Sequence, residues 1–297
     1  MVAYLTSSFD SFYEVVWVFL IYAFIGWCVE VAYSAVTKGV FVNRGFLNGP
    51  VCPIYGVGML MVVSCLTPLK SNHLVLFLGS MLLTTAVELL VGWGMEKIFH
   101  QHWWDYSDER FNFKGYICLR FSIIWGLACM MVIDIFHPPI KKLITIFPYK
   151  AGIIFQIFYF TVFITDIVIT VMAVLKINKH LAIIDEIDAR LDKISDTIGE
   201  NIYEGATDVK ERVIKVKEAA DEQKKSLIEA NDERIERLKA EREELNNKIR
   251  EAFHVRNVIM NRIIKAFPQM RSTRYEIAME RFKKARELMG KMPKRKD

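Results

Sequence analysis

The chain has 297 residues, 53% of them hydrophobic and 25% charged, with a formal net charge of +5, but these averages hide a division near residue 175. Residues 1–175 hold all 6 Trp, all 5 Cys and equal numbers of basic and acidic side chains, whereas residues 176–297 carry the whole positive excess and neither Trp nor Cys. A single soluble globular domain is excluded, and the basic balance bears on membrane orientation more than on nucleic acid.

A helix needs about 20 mostly apolar residues to cross a bilayer. Five stretches read as spans, over residues 12–36, 50–66, 74–99, 116–136 and 153–175. The second is the weakest, because Pro53, Gly56 and Gly58 interrupt a short apolar run, and it also suits a partly buried or re-entrant helix. The N-terminus lacks the basic start and small-residue cleavage site of a secretory signal, so the first helix is expected to be retained. The cysteines show no disulfide pattern and read mostly as buried thiols.

With five spans the termini fall on opposite faces. No Lys or Arg precedes Phe12, while Lys176, Lys179, Arg190 and Lys193 follow the last span, so the N-terminus is expected outside and the tail in the cytoplasm. The first and third connections, with Lys38, Arg44, Lys97, Arg110 and Lys114, then share the cytoplasmic face. The fourth, with Lys141, Lys142 and Lys150, runs against the rule.

Residues 176–297 read as long helices. Ile184, Ile187, Leu191, Ile194 and Ile198 alternate at three and four residues, the spacing of a coiled-coil seam. Gly199 and Gly205 suggest a break, and Asp208 with Glu211 a capping box for a restart. The seam then continues through Ile228, Ile235, Leu238, Leu245, Ile249, Ile259 and Ile263, interrupted by Asn231, Arg242 and Arg256, until Pro268. The basic end from Arg271 onward reads as a solvated terminus ahead of a lipid contact. The expected fold class is therefore all-α: a polytopic membrane helix bundle of about five spans in residues 1–175 and a long cytoplasmic coiled-coil tail in 176–297.

Chemistry, if present, belongs to the membrane part. Glu30, Glu88 and Asp166 interrupt apolar helices, where a carboxylate costs several kcal/mol unless paired, protonated or facing water. They are expected to face the bundle interior, with Arg44 and Arg120 as the nearest cations. The segment from Asn43 to Gly58 combines Gly and Pro at a density that demands a specific turn into a helix. Its helix start suits an anion beside Arg44, and Cys52 reads as a buried thiol ahead of a nucleophile. The third connection presents Trp103, Trp104, Asp105, Tyr106 and Ser107, then Asn112, a pattern shared by interfacial aromatic belts and recognition surfaces. Glu96, His100 and His102 are too loosely spaced for a metal site, and no metal or cofactor is expected. Because odd-numbered connections share one face, Glu30, Asn43, Arg44, Tyr55, Glu88, Trp104, Asp105 and Asn112 can converge on one ligand-binding cavity.

At these residues the sequence resembles a family of bacterial integral membrane proteins labelled putative ABC transporter type IV, or putative ABC transporter permease. The resemblance rests on Gly26-Trp27 with Glu30, the block from Asn43 to Gly58, Glu88, Trp104-Asp105-Tyr106-Ser107, Phe111-Asn112, Gly115 with Ile117-Cys118-Leu119, and Trp125-Gly126. It covers roughly residues 15–170 and implies a polytopic membrane protein with a transport role. A permease-like component binding a small solute or lipid at the cytoplasmic side is the leading expectation. The alternative is a membrane-anchored sensor or scaffold whose coiled-coil tail recruits partners or joins protomers into a homo-oligomer. The chain contains no phosphate-binding Gly-x-x-x-x-Gly-Lys-Ser/Thr loop and no recognisable pairing of nucleophile and base, so it is not expected to be an enzyme. ATP-driven transport would need a separate ATPase subunit.

Overall fold

The computed structural model describes residues 9–215, 233, 235–245, 247–248 and 258–291. The chain forms two compact units, one of residues 1–177 with 257–274, the other of 178–256 with 275–297.

The first unit is a helix bundle. Helix α1 (Phe12–Lys38) starts at Ser11, whose hydroxyl accepts from the Glu14 amide, and stops at Gly39 in the left-handed conformation, the usual device for ending a helix. Helix α2 (Pro53–Leu66) begins on a proline and passes into a 3-10 turn, Thr67–Leu69. Helix α3 (His73–Phe99) is capped by the Asn72 side chain and ends at His100. Two short hairpin strands, β2 (Asn112–Phe113) and β3 (Ile117–Cys118), lead into α4 (Leu119–Met131). A π-helical turn, Val132–Phe136, joins α4 to α5 (His137–Ile146). Its cause is local: Pro138 and Pro139 lack the N-H groups that would bond the carbonyls of Asp134 and Ile135. Helix α6 (Tyr149–Lys215) then runs through the unit boundary.

Among the described residues, four helical stretches are long and apolar enough to cross a membrane, at Phe12–Thr37, His73–Phe99, Leu119–Ile146 and Tyr149–Glu200. Leu78, Leu82 and Leu90 on α3 and Ile154, Ile157, Phe158, Val162 and Met172 on α6 are exposed. A row of such residues suits lipid and would be an aggregation surface in water. The second expected span is corrected: its helix starts at Pro53 instead of Pro50 and is only 14 residues long.

What precedes it explains the shortfall. The Cys52 amide donates to the Ala23 carbonyl at 2.9 Å, and Ala23 lies 15 residues before the end of α1, about 22 Å at 1.5 Å per residue. The segment between α1 and α2 therefore descends beside α1 as irregular chain, and α2 covers only the remaining half. At one end of the bundle Val18, Tyr22, Val62, Val63, Leu76, Cys129, Ile133 and Ile144 pack together. Toward the other, Ala23, Leu47 and Val51 pack with Phe46, Tyr159, Phe163 and Ile167. Helix α7 (Val258–Ala266) and strand β4 (Arg271–Ser272) complete this unit, and β4 pairs antiparallel with β1 (Gln101–His102).

In the second unit Ile187, Ile194 and Leu245 are buried together, with Leu191, Ile198 and Leu238 against them, so these apolar stripes pack within one chain. Helix α8 (Glu276–Lys291) belongs here, and its Arg281 guanidinium meets Asp188 at 2.6 Å. The expected break at Gly199 and Gly205 is absent, because α6 continues to Lys215; a glycine inside a helix costs only about 1 kcal/mol. Ile263 is buried in the first unit rather than in a tail seam. Ile228, Asn231, Ile249, Arg256 and the final basic residues lie outside the described residues.

Candidate functional site

The chain between Asn43 and Cys52 must satisfy its backbone without helical bonds, beside the apolar helix α1. Asn43 folds its start: the side-chain oxygen accepts from the Gly45 amide at 3.1 Å and the Trp27 indole at 2.8 Å, while its amide nitrogen donates to the Asn48 carbonyl at 2.8 Å. Asp166, on α6, supplies the acceptors below. One carboxylate oxygen accepts from the Asn48 backbone amide at 3.1 Å and its side-chain amide at 2.7 Å, and the other from the Gly49 amide at 2.7 Å. The intramembrane carboxylate of the fifth expected span is thus the backbone partner of the first connection.

The descent of this segment carries Arg44 and Tyr55 to Glu30. The Tyr55 hydroxyl donates to Glu30 Oε1 at 2.8 Å, and Arg44 Nε stands 3.5 Å from Glu30 Oε2 with its guanidinium over the Tyr33 ring. Gly26 makes room for this, since a Cβ there would strike the Tyr55 ring. Tyr55 also meets Trp125 edge-on at 5.7 Å. From the third connection, Tyr106 stacks on Phe121 at 4.8 Å and donates to Glu88 Oε1 at 3.1 Å. Glu88 Oε2 is buried with no hydrogen-bond partner among the described residues. Glu30 lies close enough to Glu88, and Tyr106 to Tyr55, for each pair to interact electrostatically. Burial, and then the Glu88 carboxylate, push the Tyr106 phenol above its ordinary range, so it remains a donor.

Four of the eight expected residues, Glu30, Arg44, Tyr55 and Glu88, therefore gather with Tyr106. The other four act in the scaffold around them. Asn43 shapes the descending chain. Trp104 packs on Gly92 and donates its indole N-H to the Tyr116 carbonyl at 2.8 Å. Asn112 donates to the Ser107 and Glu109 carbonyls, closing the loop that turns at Gly115 with a φ of 73°. Asp105 accepts from Ser107 and pairs with Arg271. Partial desolvation would raise the Asp105 pKa, but the Ser107 hydrogen bonds and the charges of Arg271 and His102 hold it below the usual carboxylate range.

Arg120 does not serve the intramembrane carboxylates as expected; it pairs with Glu109 at 3.0 Å, because α4 begins only one residue before it and leaves it at the loop. Glu96 pairs with His102 at 2.9 Å and accepts from Tyr116, while His100 ends α3. The described cavities, about 430 Å³ beside Thr85 and Ser122 and about 520 Å³ beside Trp93 and Lys97, are not lined by the Glu30–Glu88 cluster.

Sequence reasoning missed Arg262, on α7. Its Nε donates to Asn48 Oδ1 at 2.9 Å, Nη1 to the Gly45 carbonyl at 2.8 Å and Nη2 to the Phe46 carbonyl at 2.7 Å. Nothing in the local pattern distinguishes it from the many other arginines of the C-terminal part. The neighbouring Phe267 packs edge-on against Trp103 at 5.1 Å, and Trp103 against Phe46.

Apolar helices of membrane length, a carboxylate-capped descending loop and an internal cluster of Glu, Arg and Tyr define a polytopic membrane protein. The chain belongs to the family described as Putative ABC-transporter type IV, whose model matches residues 17–171. That match takes in every residue of the cluster and Asp166, and leaves Arg262 outside. The comparison with curated proteins and the comparison with solved structures each give no match.

Proposed function

We propose that the membrane unit is a permease-like transport component that binds a small solute or lipid at its cytoplasmic-side cluster of Glu30, Arg44, Tyr55, Glu88 and Tyr106. The observation that carries this reading is the stranded Glu88 Oε2. A carboxylate oxygen buried 11 residues from the end of a membrane-length helix costs several kcal/mol unless a proton, water or ligand donor meets it. A bound molecule would donate to Glu88, while Arg44 offers pairing to an anionic group. The cluster lines neither described cavity, so entry requires the loops around it to move. Energy from ATP would come through a separate ATPase subunit.

Glu88→Gln keeps the side-chain shape and an acceptor for Tyr106. Mass spectrometry of small molecules copurifying in mild detergent should show a species bound to the native protein and lost from this variant, with the melting temperature nearly unchanged. A structural role predicts the reverse, a lower melting temperature with copurification retained, and that result would sink the site.

The proposed orientation has the N-terminus outside and the tail in the cytoplasm. Lys141, which ran against the positive-inside bias, is matched by Asp10 at 3.1 Å and Glu14 at 3.4 Å, so its charge weighs little. In a cysteine-free variant of intact cells, single cysteines at Lys193 or Lys239 should resist a membrane-impermeant maleimide, and one at Ser7 should react. Labelling at Lys193 with protection at Ser7 would invert the topology.

A further inference from the structure

The segment from Gly45 to Gly49 is held from two sides by opposite charges. Three of its acceptors, the Gly45 and Phe46 carbonyls and Asn48 Oδ1, receive from Arg262, while the Asn48 carbonyl receives from Asn43. Three of its donors, the Asn48 and Gly49 amides and Asn48 Nδ2, go to Asp166, and the Gly45 amide goes to Asn43. Asp166 lies on α6 shortly before the chain leaves the membrane unit at Ile177, and Arg262 lies shortly after the chain re-enters it at Asn257. The 79 residues between, 178–256, connect the two halves of the grip. Around Arg262, Met260, Ile263 and Ala266 are fully buried, and the β1–β4 pairing and the contact of Phe267 with Trp103 fix the segment that follows.

We infer that Arg262 and Asp166 form a clamp on the descending loop, and that the tail operates it. Arg262 is the positioning residue, acting on the carboxylate cluster through the loop it holds. A guanidinium is a rigid planar fork, so a displacement of α7 that misaligns one of its three hydrogen bonds weakens all of them together. Arg44 directly precedes Gly45. Release of the loop therefore draws Arg44 from Glu30 and opens a path to Glu88, the movement that entry to the cluster needs. This gating role rests on the transport site proposed above; the clamp itself does not.

Hydrogen–deuterium exchange of the full-length protein in lipid nanodiscs tests both parts, followed in a peptide covering residues 43–52. Arg262→Gln should raise exchange there about tenfold, the scale set by losing charge-assisted hydrogen bonds, while α1 and α3 stay protected. Arg262→Lys, with one ammonium in place of the fork, should raise it less. Leu245→Asp, which loosens the packing against Ile187 and Ile194 in the tail unit, should raise exchange in the same peptide without any change at Arg262. Native exchange over 43–52 in both Arg262 variants overturns the clamp. Faster exchange confined to the tail in Leu245→Asp overturns its operation by the tail. Should Arg262→Gln prove too unstable to purify, the Lys and Leu245 variants still decide the matter. If the Arg262 variants release the loop but Glu88→Gln keeps its copurifying molecule, the clamp stands and the transport site fails.

Discussion

Asp166→Ala should be among the most damaging single polar substitutions in the membrane unit, lowering stability by roughly 1–3 kcal/mol, the cost of leaving hydrogen-bond donors without their acceptor. The change deletes the acceptor for two backbone amides and one side-chain amide of Asn48 and Gly49. Those donors have no helix to return to. Asp166→Asn should recover only part of the loss, because its NH2 group faces donors where an acceptor is required. Thr165→Ala, next in the chain and bonded only to the Thr161 carbonyl of its own helix at 2.8 Å, serves as the control and should fall within about 0.5 kcal/mol. Thermal melting of the three variants in one detergent measures the contrast. Equal midpoints for Asp166→Ala and Thr165→Ala would mean that the descending loop does not depend on this carboxylate.

An equally large effect is expected where α1 and α2 approach each other. A Cβ on Gly56 would lie 2.8 Å from the Phe19 carbonyl oxygen and still closer to its ring, and one on Gly26 would overlap the Tyr55 ring. Small residues permit such close approach between membrane helices. Overpacking typically costs about 1–3 kcal/mol and more where backbone must shift, so Gly26→Leu and Gly56→Leu should yield little monodisperse protein on size-exclusion chromatography. Gly58, only two residues along α2, has open space around it. Gly58→Ala should therefore be neutral or stabilising by up to about 1 kcal/mol through helix propensity. Equal tolerance at positions 26, 56 and 58 would contradict the close packing of the two helices.

The difference between those glycines marks the limit of what a sequence displays. All of them suggest a special backbone or a close neighbour, yet only the packing says which has a ring against it. The same holds for charge. Glu30, Glu88 and Asp166 announce themselves because ionisable groups inside apolar runs are costly, and the Gly/Pro block between Asn43 and Gly58 announces an irregular segment. Their partners are less visible: Glu30 takes Arg44 and Tyr55, Glu88 takes Tyr106, and Asp166 takes no cation from the membrane sequence but the backbone of Asn48 and Gly49. Arg120, expected as a cation for these carboxylates, turns instead to Glu109.

The sequence by itself determined that this is an apolar helix bundle followed by a charged helical part, where most of the long helices lie, and which polar side chains are out of place in lipid. These follow from local composition and periodicity, which each segment carries whatever its neighbours do. Only the tertiary structure decided that the second apolar stretch is a half-length helix behind a descending loop, that Asp166 supports that loop, and that residues 257–274 return to the membrane unit with Arg262. The first depends on Cys52 meeting Ala23, 29 residues earlier, and the other two on groups 117 to 217 residues apart meeting in space. Such a pairing satisfies a backbone amide or carbonyl, and every residue has those groups, so the pattern of side chains along the chain gives no sign of which will be met.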